Sequence, residues 1–158
     1  MNNTFKETQK LSGWVFVLLI PIELLFSYGI YQQIFLGEAF GTKPAPDIVL
    51  IVLFLLIFAL IAFFWLLNLQ TEIDETGIRI RFFPLNKRKI KWEDITKAEV
   101  LDYGFIGGWG IRFTQKYGTA YNSKGKIGLA LQLKNGKKLL IGTQRGAEIE
   151  KILKQQLA

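Results

Sequence analysis

Residues 48–69 form the longest apolar stretch of the chain, IVLIVLFLLIFALIAFFWLLNL, and it carries no charged side chain. A helix needs about 20 apolar residues to cross the hydrocarbon core of a bilayer, and this stretch meets that length. A buried core helix is the alternative, but the rest of a 158-residue chain is too small to surround a helix that is apolar on every face. The stretch therefore predicts a transmembrane helix.

A second apolar segment lies closer to the N-terminus, at residues 11–31, and contains Pro21 and Glu23. Membrane helices tolerate proline, usually with a kink. A cleaved signal peptide with its cleavage site near Gly37 and Ala39 is the alternative, but the apolar segment is longer than a usual signal-peptide core and contains an acid. We predict an uncleaved span, and the Pro- and Gly-containing loop that follows predicts a two-helix hairpin.

Flanking charges predict the orientation of this hairpin. Lys6 and Lys10 precede the first span and many basic residues follow the second, whereas the loop has only Lys43 against two acids. Basic residues stay on the cytoplasmic side, so we expect an inner-membrane protein with both termini in the cytoplasm. The domain boundary is placed near Gln70, with the tail and hairpin in residues 1–70 and a cytoplasmic domain in residues 71–158.

Glu23 is the one acidic residue inside the predicted spans, which contain no basic residue. An acid within a membrane span is by default a functional candidate because burying its charge is costly. It is then expected to line the centre of an oligomer of hairpins. In the alternative interpretation it is protonated, or bonded to a polar group on a neighbouring helix.

The chain has neither cysteine nor histidine, which excludes disulfides, cysteine nucleophiles and zinc sites built from Cys and His. The acid pairs at 74–75 and 93–94 fall at predicted turns, where acids are ordinary. The glycine-rich residues 107–110 have neither the Walker nor the Rossmann spacing. We therefore predict a protein that is not an enzyme and that uses no cofactor or metal.

Residues 71–158 alternate between apolar and polar residues in short segments that are typical of strands. Strands are predicted at 71–74, 78–83, 89–92, 95–103, 111–113 with 119–122, 128–134 and 137–143. Asn135-Gly136 is the strongest hairpin signal. A terminal helix follows at 146–157, with Ile149, Ile152, Leu153 and Leu157 on one face. We expect an α+β membrane protein with about seven strands in a bent antiparallel sheet or partial barrel, capped by this helix.

Several short motifs occur along these strands in a fixed order: WED with Ile95, GWG with Ile111 and Arg112, AYN at 120–122, and IGTQR at 141–145. In this order they resemble the bacterial PH-like domain proteins, in which a helical hairpin precedes a domain of the pleckstrin-homology type. The resemblance implies a binding or assembly module. Arg79 and Arg81 match the end of the basic pattern by which eukaryotic relatives bind phosphoinositides, whereas Glu72, Asp74 and Glu75 depart from its beginning.

Basic residues outnumber acids by 17 to 9 after Gln70. The densest cluster is formed by Lys87, Arg88 and Lys89 with Lys91, and it is either a contact for anionic lipid or a solvated loop. Further binding candidates are Arg79, Arg81, Trp109, Arg112, Tyr121, Asn122 and Arg145. Structural roles are the alternative for Arg112 and Arg145, and turn chemistry is the alternative for Tyr121 and Asn122.

These observations favour a non-enzymatic, membrane-anchored interaction or assembly module. Its partners would be the bilayer, anionic lipid headgroups, a protein, or a second copy in a homo-oligomer. The alternative is a small transport or channel-type subunit in which oligomerised hairpins place Glu23 in the bundle. Nucleic acid is not expected, because basic charge is a weak signal and no recognition helix is predicted.

Overall fold

A computed structural model of the chain describes residues 4–156 and divides into two compact units. The helical unit runs from Gly13 to Leu66. The β unit combines the residues up to Ser12 with those from Leu67 onward. The helical unit is therefore an insertion between the first and second strands of the β unit.

The helical unit consists of α1 (Trp14–Ile30), a short π-helix (Tyr31–Phe35) that continues it, and α2 (Asp47–Leu66). Both helical segments are long and apolar enough to cross a membrane by length and composition, with mean hydropathies of 1.8 and 3.3. α1 and α2 pack side by side, and Phe16 contacts Trp65 edge to face across them. The prediction of two long apolar helices is confirmed.

The end of the second apolar segment differs from the prediction. α2 stops at Leu66, and residues 67–69 belong to the β unit rather than to the helix. Leu67 and Leu69 are buried there, whereas Asn68 and Gln70 between and after them are partly exposed. This alternation has the period of a strand, so the predicted boundary near Gln70 lies inside a strand.

The β unit has nine strands among the described residues, two more than predicted. They are β1 (Phe5–Lys10), β2 (Asn68–Asp74), β3 (Gly77–Phe83), β4 (Asn86–Ile90), β5 (Ile95–Asp102), β6 (Gly110–Thr114), β7 (Gly118–Asn122), β8 (Ile127–Leu133) and β9 (Lys138–Gly142). A short 3-10 turn (Trp92–Asp94) precedes β5, and α3 (Gly146–Gln156) follows β9. Leu157, which was expected at the end of the helix, lies outside the described residues.

The strands form two open sheets instead of one bent sheet or partial barrel. The first sheet has the order β1-β2-β3-β4 and is antiparallel throughout. The second has the order β5-β8-β9-β7-β6, in which β7 and β9 are parallel, so the unit is not purely antiparallel as expected. α3 packs against β5 and β8, and the predicted combination of strands with one terminal helix is confirmed.

The main set of buried apolar side chains comes from both sheets and from α3. It is formed by buried side chains of β2, β3, β8, β9 and α3: Leu69, Ile73, Ile78, Ile80, Phe82, Leu129, Leu131, Leu139, Ile141, Ile149 and Leu153. Hydrogen bonds also join the two sheets. Asn86 of β4 donates to the Tyr121 hydroxyl of β7 at 3.3 Å.

Candidate functional site

The outward face of the first sheet carries four aligned basic side chains. The strand register places Arg79 opposite Lys89 and Arg81 opposite Lys87. Residues directly opposite each other in antiparallel strands share a face, with their Cβ atoms about 5 Å apart. We name the surface formed by Arg79, Arg81, Lys87 and Lys89 the cationic face.

The apolar pattern of β3 fixes which way these residues point. Ile78, Ile80 and Phe82 are each at most 2 % exposed, so the two arginines between them must lie on the opposite face. A slip of one residue would bury both arginines and expose the apolar residues, and this sets the register strongly. The cationic face therefore follows directly from the burial of one side of β3.

Two acids of β2 lie beside this face, and both bind the same arginine. Arg79 donates through Nε to Glu72 at 3.0 Å and through Nη2 to Asp74 at 2.6 Å. Lys6 of β1 also lies 3.0 Å from the Glu72 carboxylate. Hydrogen bonding from Lys6, and then from Arg79, lowers the pKa of Glu72. The pKa of Asp74 is lowered chiefly by the hydrogen bond from the Thr76 hydroxyl.

The other three cations of the face have no acidic partner among residues 4–156. Arg81 lies over the Phe83 ring, 4.9 Å from its centroid, which is a favourable contact but does not neutralise its charge. Lys87 and Lys89 are exposed. An open groove of about 480 Å³ runs over this part of the sheet, so an anionic group has access to all three.

The predicted basic cluster is divided by the sheet. Lys87 and Lys89 join Arg79 and Arg81 on the cationic face, but Arg88 is opposite Ile80 and belongs to the other side of β4. Lys91 follows the strand and is paired with Glu93 at 2.9 Å. The run of basic residues in the sequence is therefore not one surface.

The remaining binding candidates lie in the second sheet and its loops. Tyr121 and Asn122 are each 2 % exposed, so both side chains are buried, and Asn122 donates to the Gly108 carbonyl at 3.0 Å. Trp109 is half-buried in the loop before β6, and Arg112 is exposed on that edge strand. The structure does not bring these residues together with the cationic face.

Arg145 holds the start of α3 against β1. Its guanidinium binds Glu148, donates to the Lys6 carbonyl at 2.8 Å and lies over the Phe5 ring. These contacts occupy Arg145 with the chain itself. They match the structural alternative given for it above.

Sequence reasoning missed β1 and the buried polar groups that it carries. The Glu7 carboxylate accepts hydrogen bonds from the Thr143 hydroxyl at 2.6 Å and from the backbone amide of Gln144 at 2.9 Å. Gln9 donates to the Gly142 carbonyl at 2.8 Å and accepts from Ser123 at 3.0 Å. The buried positions of β1 are Phe5, Glu7 and Gln9, so the strand does not show the usual alternation of apolar and polar residues. Phe5 was the one residue that indicated a buried position.

Glu23 lies within α1. Its two carboxyl oxygens are buried and have no hydrogen-bond partner among the described residues, while the Ser27 hydroxyl donates to its backbone carbonyl at 2.8 Å. Within residues 4–156 no three acidic side chains come together in a way that could hold a metal ion. The structure thus places Glu23 in the helical unit, with no hydrogen-bond partner for its carboxylate within residues 4–156.

Comparison with known proteins adds one result. No curated protein matches the chain. A protein-family model matches residues 2–158, so the match includes both the helical unit and the β unit. The chain therefore belongs to the DUF6141 family, a family of unknown function.

Proposed function

We propose that this chain is a non-enzymatic, membrane-anchored module whose β unit binds anionic lipid headgroups through the cationic face. α1 and α2 are the anchor, and the β unit lies at the cytoplasmic surface of the inner membrane. The observation that carries the proposal is a set of three cations on one exposed face, Arg81, Lys87 and Lys89, which have no acidic partner in the described part of the chain.

The alignment of these charges favours a binding role over simple solubility. Like charges directly opposite each other destabilise an antiparallel sheet, and Arg81 and Lys87 form such a pair, whereas the charge of Arg79 opposite Lys89 is compensated by Glu72 and Asp74. Local features that cost stability tend to occur where function requires them. A phosphate group placed over the pair formed by Arg81 and Lys87 would relieve the repulsion, and each basic residue near an anionic bilayer contributes about 1 kcal/mol.

Short connections support a location close to the bilayer. Only Leu11, Ser12 and Gly13 separate β1 from α1, and Leu67 alone separates α2 from β2. Lys10 pairs with Asn68, so the chain leaves and re-enters the β unit at adjacent positions. If the helices span the bilayer, these connections of one and three residues are too short to let the attached ends of β1 and β2 move far from the headgroups.

Lipid selectivity of the full-length chain tests the proposal. The protein is reconstituted with spin-labelled phosphatidylglycerol or spin-labelled phosphatidylcholine, and electron paramagnetic resonance measures the motionally restricted fraction of each. We expect a preference for the anionic lipid that weakens with salt. Replacing Arg81, Lys87 and Lys89 together by glutamine should lower this preference at least about fivefold, which is the effect of losing a single contribution of about 1 kcal/mol.

A matched control removes the same charge from the other sheet. Lys116, Lys137 and Lys138 are likewise basic and belong to β9 or to turns of the second sheet. Replacing these three by glutamine should leave most of the preference in place. Equal loss in both triple variants would mean that only total charge matters, and no loss in either would remove the lipid-binding proposal.

A second prediction concerns stability: removing a cation from this face should weaken lipid binding but stabilise the β unit. In bilayers of phosphatidylcholine alone, Lys87→Gln should raise the free energy of unfolding of the β unit by about 0.2–1 kcal/mol, because it removes one like-charge pair. Thermal unfolding followed by circular dichroism measures this change. Lys138→Gln is the control, because Lys138 faces Gln132 rather than a cation. A loss of stability in Lys87→Gln would mean that the lysine has a structural role.

A further inference from the structure

The turn between β3 and β4 presents apolar residues to the outside. Pro84 and Leu85 connect the two strands and Phe83 is the last residue of β3; the Leu85 amide donates to the Phe82 carbonyl at 2.8 Å and closes the turn over Phe83 and Pro84. Leu85 is 55 % exposed and Pro84 is also exposed. Among the described residues of the β unit, strong exposure of a large apolar side chain is confined to Leu85, Phe105, Phe113 and Ile127.

The strand register fixes where this turn lies. Phe83 pairs with Asn68, the first residue of β2, and only Leu67 stands between Asn68 and the end of α2. Neighbouring strands are about 4.8 Å apart. The turn is therefore one strand away from the point at which the chain enters the β unit from α2.

The turn at the opposite end of the same sheet is polar. There β2 and β3 are joined by Glu75 and Thr76, and Asp74 pairs with Gly77. β2 spans seven residues, so this polar turn lies about 20 Å along the sheet from Phe83. Polar and apolar turns thus occupy opposite ends, and the apolar one is at the end joined to α2.

Two basic side chains lie next to the apolar turn along the strands. Arg81 and Lys87 are opposite each other on β3 and β4, and each is two residues from Phe83 or Leu85. An apolar tip followed by basic side chains is the arrangement of segments that lie in a bilayer interface, with apolar groups at the acyl boundary and cations among the phosphates.

We propose that the Phe83–Leu85 turn is a second membrane contact, inserted into the interfacial layer of the leaflet from which α2 emerges. Its partner is the lipid bilayer surface itself. The inference rests on the proposed function in one respect, since α1 and α2 must span the bilayer. It does not require the cationic face to prefer anionic lipid.

Site-directed spin labelling of the full-length chain tests this contact. The chain has no cysteine, so Leu85→Cys, Glu75→Cys and Ala59→Cys each provide one labelling site without further changes. The labelled proteins are reconstituted in bilayers of phosphatidylcholine and phosphatidylglycerol. Power saturation with oxygen, which concentrates in lipid, and with a water-soluble nickel chelate gives the depth of each label.

The expected result is a shift of accessibility toward oxygen at Leu85 relative to Glu75, with Ala59 of α2 shifted further. A Leu85 label as accessible to nickel as the Glu75 label, with Ala59 in lipid, would overturn the turn contact and leave the anchor intact. An Ala59 label accessible to nickel would overturn membrane anchoring and both proposals. The spin-lipid measurement on the cationic face is separate from either result.

Discussion

Deletion of residues 1–10 is expected to unfold the β unit, although it leaves every residue of α1 and α2 in place. The deletion removes β1 from the edge of the first sheet together with Phe5, whose burial contributes about 1.5–3 kcal/mol. It also removes the β1 partners of the Gln144 backbone amide and the Gly142 carbonyl, at about 1–3 kcal/mol for each group that stays buried, and one of the two partners of the Thr143 hydroxyl within residues 4–156. The entropy that β1 no longer loses on folding offsets part of these losses. The remainder is set against a total stability of only about 5–15 kcal/mol for an ordinary domain.

The measurement is amide hydrogen exchange of the full-length and deleted chains in the same bilayer. We expect strands β2, β3 and β9 to lose protection in the deleted chain, while the helices keep theirs. Thr8→Ala is the control within β1, because Thr8 points outward and is exposed. Unchanged protection in the deleted chain would show that β1 is dispensable.

The complementary variant keeps β1 and omits the helical unit. Lys10 and Asn68 are already paired, so a short turn that joins Ser12 to Leu67 would convert β1 and β2 into an ordinary β-hairpin. We expect this variant to fold without a bilayer. A fragment that starts at residue 71, by contrast, lacks β1 and the first part of β2, and we expect it to remain unfolded.

Gly77→Ala is expected to lower the free energy of unfolding of the β unit by about 3 kcal/mol or more. Gly77 has φ = +139°, a conformation that other residues rarely adopt, and a Cβ atom there would lie 2.1 Å from the Ile90 carbonyl oxygen. The backbone cannot move aside easily. The Trp92 indole, just beyond Ile90, donates to the Asp74 carbonyl at 2.8 Å and fixes the two segments together.

Gly136→Ala is the matched control. Gly136 also has a positive φ, +77°, but no atom lies within 4 Å of the position of its Cβ. Only the conformational cost remains, which is about 1 kcal/mol for a left-handed residue. Thermal or denaturant unfolding of both variants measures the difference. Similar losses in the two variants would mean that the close approach of Ile90 has no energetic consequence.

The parts of the fold that local sequence patterns determine were predicted well. The uncharged run at 48–69 led to α2, although the helix ends three residues earlier, at Leu66. The Asn135-Gly136 turn led to the hairpin of β8 and β9, with strand ends within one residue of those observed. The alternation of Ile78 and Ile80 with Arg79 and Arg81 led to β3. In each case apolar period and turn chemistry act within a few residues.

Features that depend on distant partners were not predictable. Glu7 and Gln9 are buried only because residues 123 and 142–144, more than 110 positions later, satisfy their hydrogen bonds. The division of the basic cluster at Arg88 depends on the pairing of β4 with β3. Periodicity does not identify which strands pair. It therefore predicts neither that a strand before the helices joins the β unit nor that the strands divide into two sheets.

The pairing of β1 with β2 also constrains how the chain is made. β1 is synthesised first, yet its partner exists only after both helices have left the ribosome. Residues on either side of the helical unit must finally lie in one compartment, so any membrane that α1 crosses must be crossed again by α2. The pairing of β1 with β2 is thus incompatible with a single-pass arrangement of the helical unit.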